Sequence, residues 1–192
     1  LSRHSGWKLS SNRIKCLRPA DLDEMRLGEM PMLGLQANVA VMQTLQAQID
    51  SLEKVLAAYC QAEPGYALLR TVTGIGEVLA TVILLETGSI ERFADAGNYA
   101  SYCRCVGSAH LSNGKKKGEG NTKNGNRYLA WAFVEAANFA VRHCEAARRF
   151  YQRKKAARNN TVAIKAVAHK LSRACYHMLK NQQPFSVERC FA

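Results

Sequence analysis

A glycine- and lysine-rich stretch, residues 107–126, contains the residues of this chain best suited to chemistry on phosphate esters. Ser112 offers a hydroxyl that could act as a nucleophile, and Ser108 is the weaker alternative. Cations close by could neutralise the charge that builds on phosphoryl oxygens during attack; they are Lys115, Lys116, Lys117 and Lys123. Taken alone, these residues are better interpreted as a loop that binds phosphate without reacting with it.

The same stretch has no hydrophobic periodicity and no aromatic residue, so it predicts a long Gly/Lys-rich loop. A loop of this length inside a helical domain is usually either functional or disordered. Because glycines and like-charged lysines bury little apolar surface, we expect residues 107–126 to be mobile when no nucleic acid is bound.

A second candidate site is the glycine turn Gly74-Ile75-Gly76, which lies between two short apolar segments. This spacing is typical of a helix-hairpin-helix, predicted here over residues 69–86. Glycines allow the tight turn and bring backbone amides close to a phosphate, which the dipole of the next helix also attracts. The alternative is a turn with a purely structural role.

Positive charge is concentrated in one part of the chain. The net charge is +12, yet residues 104–173 carry 16 Lys or Arg against 3 Glu, and the rest is close to neutral. Such asymmetry predicts a polyanionic partner, with nucleic acid the first candidate. The candidate phosphate contacts in a dense basic stretch are Arg148, Arg149, Arg153, Lys154 and Lys155.

Residues 35–62 predict one helix with a heptad pattern. Leu35, Met42, Ile49 and Leu56 recur every seven residues, and a second series comprises Asn38, Leu45, Leu52 and Tyr59. A coiled coil, which would make the protein a homo-oligomer through residues 35–59, and an amphipathic helix packed on its own domain both fit this pattern. Pro31 and Gly34 are expected to keep the helix from starting earlier.

The remaining chain predicts a mainly α fold: a long heptad helix followed by a helical domain. An apolar stripe recurs at helical spacing in Leu129, Phe133, Ala136 and Ala140. Asn160-Thr161 has the composition of an N-cap for another helix. No convincing strand pattern follows residue 35.

Several classes of protein are disfavoured by composition. No apolar run is long enough for a membrane span, and no secretory signal pattern opens the chain, so we expect a cytoplasmic protein with no membrane partner. The seven cysteines form no Cys-x-x-Cys pair, which argues against a zinc site and predicts no metal in this chain.

The segment from Ser112 to Leu129, with Thr122-Lys123-Asn124-Gly125-Asn126 at its end, resembles the C-terminal domain of DEDD-type insertion-sequence transposases, the bridge-RNA-guided recombinases. The glycine turn at residues 73–76 and the segment at residues 9–15 are similar to the same family. The resemblance implies that Ser112 is the nucleophile and that the loop exit, including Asn126 and Arg127, contacts DNA. It also implies that a guide RNA takes part.

Two departures from the family pattern stand out. Asn113 separates Ser112 from Gly114, where the family commonly has glycine directly after the serine. The family also has an N-terminal half whose four acidic residues hold divalent metal. The acidic residues early in this chain lie in one polar stretch, and we expect them to be solvent-exposed and not to bind a metal ion. They are Asp21, Asp23, Glu24 and Glu29.

The resemblance divides the chain into three parts: a remnant of the N-terminal catalytic half (1–34), a coiled-coil-like helix (35–62) and the C-terminal transposase domain (66–182). The leading hypothesis is a fragment for DNA binding and strand transfer, inactive alone because magnesium would be bound by the missing half. Two alternatives stay open: a noncatalytic nucleic-acid-binding helical module, and a helical oligomerisation protein with an incidental basic surface.

Overall fold

The computed structural model describes residues 10–25, 27–107, 109–113, 115–119 and 124–192. It divides between Leu56 and Ala57 into two compact units, each with its own hydrophobic cluster. Most of the described residues are helical, which confirms the mainly α fold class.

The first unit contains helices α1 (Ser11–Lys15) and α2 (Pro19–Asp23) and the larger part of α3 (Glu29–Ala62). Pro19 occupies the first turn of α2, where its missing N–H would have had no helical partner. A small apolar cluster joins these elements; its members are Leu17, Leu22, Met25, Leu35 and Val39.

Helix α3 starts earlier than the sequence predicted, at Glu29 instead of residue 35. Pro31 lies in its first turn, where a proline removes no helical hydrogen bond, so the expected break does not occur. The helix ends at Ala62, as predicted. Leu35 in the heptad seam is buried, whereas Leu45, Ile49 and Leu52 are 58%, 46% and 63% exposed.

The second unit is built from helices around one core. Its elements are α4 (Pro64–Arg70), α5 (Glu77–Thr87), a 3₁₀ turn (Ile90–Arg92), α6 (Ala96–Tyr102), strands β1 (Ala109–Ser112) and β2 (Lys115–Glu119), α7 (Arg127–His143), α8 (Glu145–Ala157), α9 (Asn160–Asn181) and α10 (Val187–Phe191). Helix α7 contacts α5, α8 and α9.

The apolar stripe predicted for α7 is buried throughout, from Leu129 to Ala140. Its alanines leave room for neighbouring helices to approach closely, and Phe133 fills the space between them. Helix α9 begins at the predicted place, although its N-cap is Asn159 rather than Asn160: the Asn159 side chain accepts from the N–H of Val162 at 2.9 Å.

The prediction that residues 107–126 form a loop without regular structure, with no strand after residue 35, was wrong, because two strands lie within this stretch. Strands β1 and β2 pair antiparallel, with a register shift between His110 and Leu111. The Asn113-Gly114 dipeptide between them is a known signal for a two-residue hairpin turn, and Asn113 adopts a left-handed φ of 51° that asparagine tolerates. The residue that departs from the family pattern is therefore one that suits the hairpin.

Candidate nucleic-acid interface

Ser112 lies at the end of β1, at the tip of the hairpin. Its partner across the strands is Lys115, whose side chain is exposed. Lys116 and Lys117 continue along β2. Ser108 and Lys123, the other predicted residues of this stretch, lie outside the described residues. The hairpin thus places the backbone of the candidate nucleophile opposite a lysine.

The chain leaves the hairpin region through Gly125, which is bound tightly to the end of α6. Gly125 has a φ of +93°, and a Cβ atom there would lie 2.4 Å from the carbonyl oxygen of Tyr102. The carbonyl of Gly125 accepts from Nε of Arg104 at 3.0 Å and from a terminal guanidinium nitrogen at 2.7 Å. Only glycine fits this position, and the two hydrogen bonds from Arg104 fix its carbonyl group.

Asn126, the next residue, uses all of its polar groups inside the protein. Its N–H donates to the carbonyl of Tyr102 at 2.7 Å. Its Oδ1 caps α7 by accepting from the N–H groups of Tyr128 and Leu129 at 2.8 and 3.0 Å. Its Nδ2 donates to Oε2 of Glu86 on α5 at 2.5 Å. Asn126 therefore acts here as a clamp between α5, α6 and α7.

Tyr102 and Arg92 complete the base of the hairpin region. The Arg92 guanidinium lies 4.6 Å from the ring centres of both Phe93 and Tyr102. Hydrogen bonding from Asn126, followed by hydrogen bonding from Arg92, lowers the pKa of the Tyr102 hydroxyl. The cluster combines one carboxylate, one guanidinium, one phenol and one amide at the point where the chain re-enters the core.

The glycine turn between α4 and α5 packs against α7. A Cβ atom on Gly74, whose φ is +101°, would lie 2.4 Å from the carbonyl oxygen of Ala136 and 2.9 Å from the nitrogen of Ala140. Ile75 is 4% exposed and belongs to the core. Gly76, the N-cap of α5, has nothing within 4 Å of its Cβ position. Of the three predicted DNA contacts, only Gly76 has open space beside it.

The basic stretch on α8 divides into two groups. Arg148 donates to the carbonyls of Val141 and Arg142 at 3.3 and 3.0 Å, which satisfies the end of α7. Arg148 and Arg149 both pair with Glu145, at 3.2 and 3.1 Å. These two arginines are therefore partly neutralised within the protein.

The other cations of this stretch lie over aromatic rings. Arg153 and Lys154 are 6.0 and 5.6 Å from the ring centre of Phe150, and Lys155 is 5.9 Å from that of Tyr151. All three side chains are exposed, and no carboxylate of the described residues forms an ion pair with them. The rings limit their motion while the charged ends face solvent.

Arg127 opens α7 beside the clamp. It is exposed, donates to the hydroxyl of Tyr128 at 2.8 Å and lies 4.8 Å from that ring centre. Together with Lys115, it places positive charge near both the hairpin and its exit.

The described residues contain no group of three or more His, Cys, Asp or Glu side chains that could hold a metal ion. The cysteines are all free thiols, and burial raises the pKa of Cys105 and Cys190 to about 12. Among the described helices, none is long and apolar enough to cross a membrane.

Comparison with known proteins decides which family this region resembles. Residues 66–152 match the model of the Transposase IS116/IS110/IS902 family. This segment is therefore similar to the transposase domain of the IS110 family. It includes the glycine turn, the hairpin with Ser112, the Asn126 clamp and the first two cations of the basic stretch of α8, Arg148 and Arg149.

Two curated proteins are similar to the chain. A probable family 20 transposase of Pseudomonas aeruginosa is 26% identical over 145 residues, covering 73% of this chain and 43% of that protein. An uncharacterized insertion element IS110 protein of Streptomyces coelicolor is 27% identical over 135 residues, covering 70% and 33%. The chain thus spans less than half the length of either relative.

Sequence reasoning missed the residues that anchor the base of the hairpin region. Glu86, Tyr102 and Arg104 were not singled out because their partners, Asn126 and Gly125, are distant in sequence. The Asn113-Gly114 dipeptide was the available signal for the hairpin itself.

Proposed function

We propose that this chain is the DNA-binding and strand-transfer part of an insertion-sequence transposase, with Ser112 as its nucleophile. One observation carries the proposal: the family match at residues 66–152 contains the hairpin that has Ser112 at its tip. A serine paired across the strands with a lysine, in a segment rich in cations, is suited to attack on a phosphodiester.

In the proposed reaction, Oγ of Ser112 attacks the phosphorus of a DNA phosphodiester. A bond forms between Oγ and phosphorus while one bond between phosphorus and a deoxyribose oxygen breaks. The Ser112 proton passes to a general base, and the leaving deoxyribose oxygen takes up a proton to become a hydroxyl. Lys115, opposite Ser112, would stabilise the negative charge on the phosphoryl oxygens.

The clamp at Asn126 supports this assignment through positioning. A nucleophile contributes most when its attack geometry is fixed before the reaction. Gly125 and Asn126 are fixed to α5 and α6, so the chain enters and leaves the hairpin region at defined points of the core. We infer that the second unit holds the hairpin at its base while the tip meets DNA.

DNA would be held mainly by its phosphates. Arg153, Lys154 and Lys155 lie on one exposed stretch of α8, and the segment 104–173 has a large excess of cations. Such contacts give affinity with little sequence preference. Sequence choice would then come from elsewhere, and the resemblance implies that a guide RNA provides it.

A metal ion that assists this reaction would have to be held by residues other than the described ones. The described residues do not offer a group that fits one. In the proposal, magnesium belongs to an acidic catalytic half of the kind that the resemblance implies, and the chain alone neither cuts nor joins DNA.

We also propose that the protein assembles through α3. The heptad positions Leu45, Ile49 and Leu52 are exposed in the described structure, and a second copy of the same helix would cover them. Leu52→Glu should convert an oligomer to a monomer in light scattering. Ser51→Glu, an exposed substitution at a heptad position that faces away from the seam, should leave the mass unchanged. A mass that L52E leaves unaltered would refute assembly through this seam.

The noncatalytic module is distinguished by Ser112→Ala. In a full-length transposase that carries this domain, S112A should abolish transposition and leave DNA affinity nearly unchanged, because one neutral hydroxyl contributes little to phosphate binding. Ser108→Ala is the matched control and should retain transposition. Normal transposition by S112A would favour the noncatalytic reading.

A further inference from the structure

A groove of about 620 Å³ is lined by residues of α9, of the segment 183–186 that follows it, and of α10. Its volume is in the range of pockets that hold small ligands, about 300–1,000 Å³. Neither the hairpin nor the basic stretch of α8 contributes to its lining. The groove is therefore separate from the site proposed above.

The charged side chains that line the groove all carry, or can carry, positive charge. They are His169, Lys170, Arg173, His177 and Arg189, and no carboxylate is among the lining residues. The nearest acid in sequence, Glu188, accepts from the hydroxyl of Ser186 instead. The lining is thus complementary to an anion.

The environment of His169 reflects the same charge imbalance. Its pKa is lowered first by burial and then by the positive charges of Arg173 and Lys170. Lys170 already donates to the carbonyl of Ala192 at 3.2 Å and lies 5.1 Å from the ring centre of Phe150. Arg173 and Arg189 are exposed, so they are the cations best placed to meet a ligand from solvent.

The floor of the groove is apolar. Met178 and Cys190 are 5% and 7% exposed, and Pro184 and Phe185 form the adjoining wall. A free phosphate or an acidic side chain would leave this floor uncovered. A nucleotide matches both halves of the lining, since its base presents a flat apolar face and its phosphate carries the charge.

We propose that this groove binds one nucleotide of a single-stranded nucleic acid, with the base against Phe185 and Met178 and the phosphate at Arg173 and Arg189. The proposal deepens the proposed function and rests on it, because strand transfer or a guide RNA supplies unpaired nucleotides to the domain. A strand is favoured over a free nucleotide because the cation excess of residues 104–173 would hold the flanking phosphates.

The test measures binding of a fluorescent twelve-nucleotide oligo-dT to the whole chain by anisotropy at fixed salt. The double variant Arg173→Gln/Arg189→Gln should weaken binding about tenfold, as expected for losing more than one phosphate contact. Arg18→Gln/Lys54→Gln, which removes two exposed cations outside residues 104–173 and outside the groove, should change it less than twofold. Equal losses in the two proteins would overturn the proposal.

Phe185→Leu tests the base contact while preserving apolar packing at this position. It should weaken oligo-dT binding several-fold with an unchanged melting temperature, because stacking needs an aromatic ring. Unchanged affinity for F185L, or displacement of oligo-dT by an acidic peptide at equal charge concentration, would overturn the assignment to a nucleotide. Displacement by free thymidine monophosphate at equal nucleotide concentration would overturn the choice of a strand.

These outcomes are independent of the chemistry at Ser112. Ser112→Ala should bind oligo-dT as the unsubstituted chain does. If the groove variants bind oligo-dT normally while S112A loses transposition, only the groove proposal fails. If the groove variants lose binding while S112A transposes normally, only the assignment of Ser112 as the nucleophile fails.

Discussion

The side-chain amide of Asn126 connects the start of α7 to Glu86 on α5. Its oxygen accepts from two backbone N–H groups of α7, and its nitrogen donates to the Glu86 carboxylate at 2.5 Å. Because Oδ1 must accept and Nδ2 must donate, neither Asp nor Ala at this position can make both kinds of hydrogen bond. This pair fixes the start of α7 against α5.

Asn126→Asp should lower the free energy of unfolding by about 1–2 kcal/mol at neutral pH. Aspartate keeps the N-cap but places a second carboxylate against Glu86 where a donor had been. Urea denaturation measures the loss. Adding Glu86→Gln should restore most of it, because the glutamine amide can donate to the new carboxylate.

Asn159→Asp is the matched control. The side chain of Asn159 also caps a helix, α9, by accepting from the N–H of Val162. Aspartate and asparagine are about equal as N-caps, so this change should alter stability little. Equal losses for N126D and N159D would show that the contact with Glu86 has no energetic weight.

The two glycines of the turn should respond differently to alanine. Gly74→Ala should destabilise the domain by roughly 2–4 kcal/mol, because its φ is positive and its Cβ would meet the backbone of α7. Gly76→Ala should leave the melting temperature nearly unchanged, because its Cβ points into open space.

If the turn also binds phosphate, G76A should weaken binding to duplex DNA several-fold, since a methyl group would keep the backbone amides from a close approach. Duplex affinity equal to that of the unsubstituted chain would leave the turn with a structural role alone.

Hydrogen exchange should separate the hairpin from the helices. A two-stranded hairpin by itself is only marginally stable in water. The amides of β1 and β2 should therefore exchange much faster than those of α7 in the free chain, and slow down when DNA is added. Protection of β1 equal to that of α7 without DNA would contradict this expectation.

The sequence predicted the helices best where apolar residues recur over several turns, as in α3, α7 and α9. It did not predict that α3 begins at Glu29, because a proline in the first turn and one in a helix interior look alike in a sequence. The hairpin was missed although its Asn-Gly signal was present.

The candidate site was predictable only in part. Residue types and spacing singled out Ser112 and the cations, since these are local in sequence. The clamp joins residues 40 positions apart, and local periodicity carries no information about such a contact. Likewise, the ion pairs and carbonyl bonds of Arg148 distinguish it from Lys155 only once the helices have packed.

DNA binding should weaken steeply with salt and depend little on sequence. Each phosphate contact adds to the salt dependence, so raising salt from about 50 to 200 mM should reduce affinity by orders of magnitude. Lys154→Gln/Lys155→Gln should reduce the slope of log affinity against log salt by up to two contacts. Gel shifts measure this, and an affinity independent of salt would refute the electrostatic account.

The most direct measurement of the central claim is a covalent adduct between the protein and DNA. The chain is incubated with junction DNA and magnesium, alone and with an acidic catalytic half added in trans, and separated on a denaturing gel. We predict an adduct only when both parts are present, retained in Ser108→Ala and absent in Ser112→Ala. An adduct formed by S112A, or by the unsubstituted chain alone, would contradict the account.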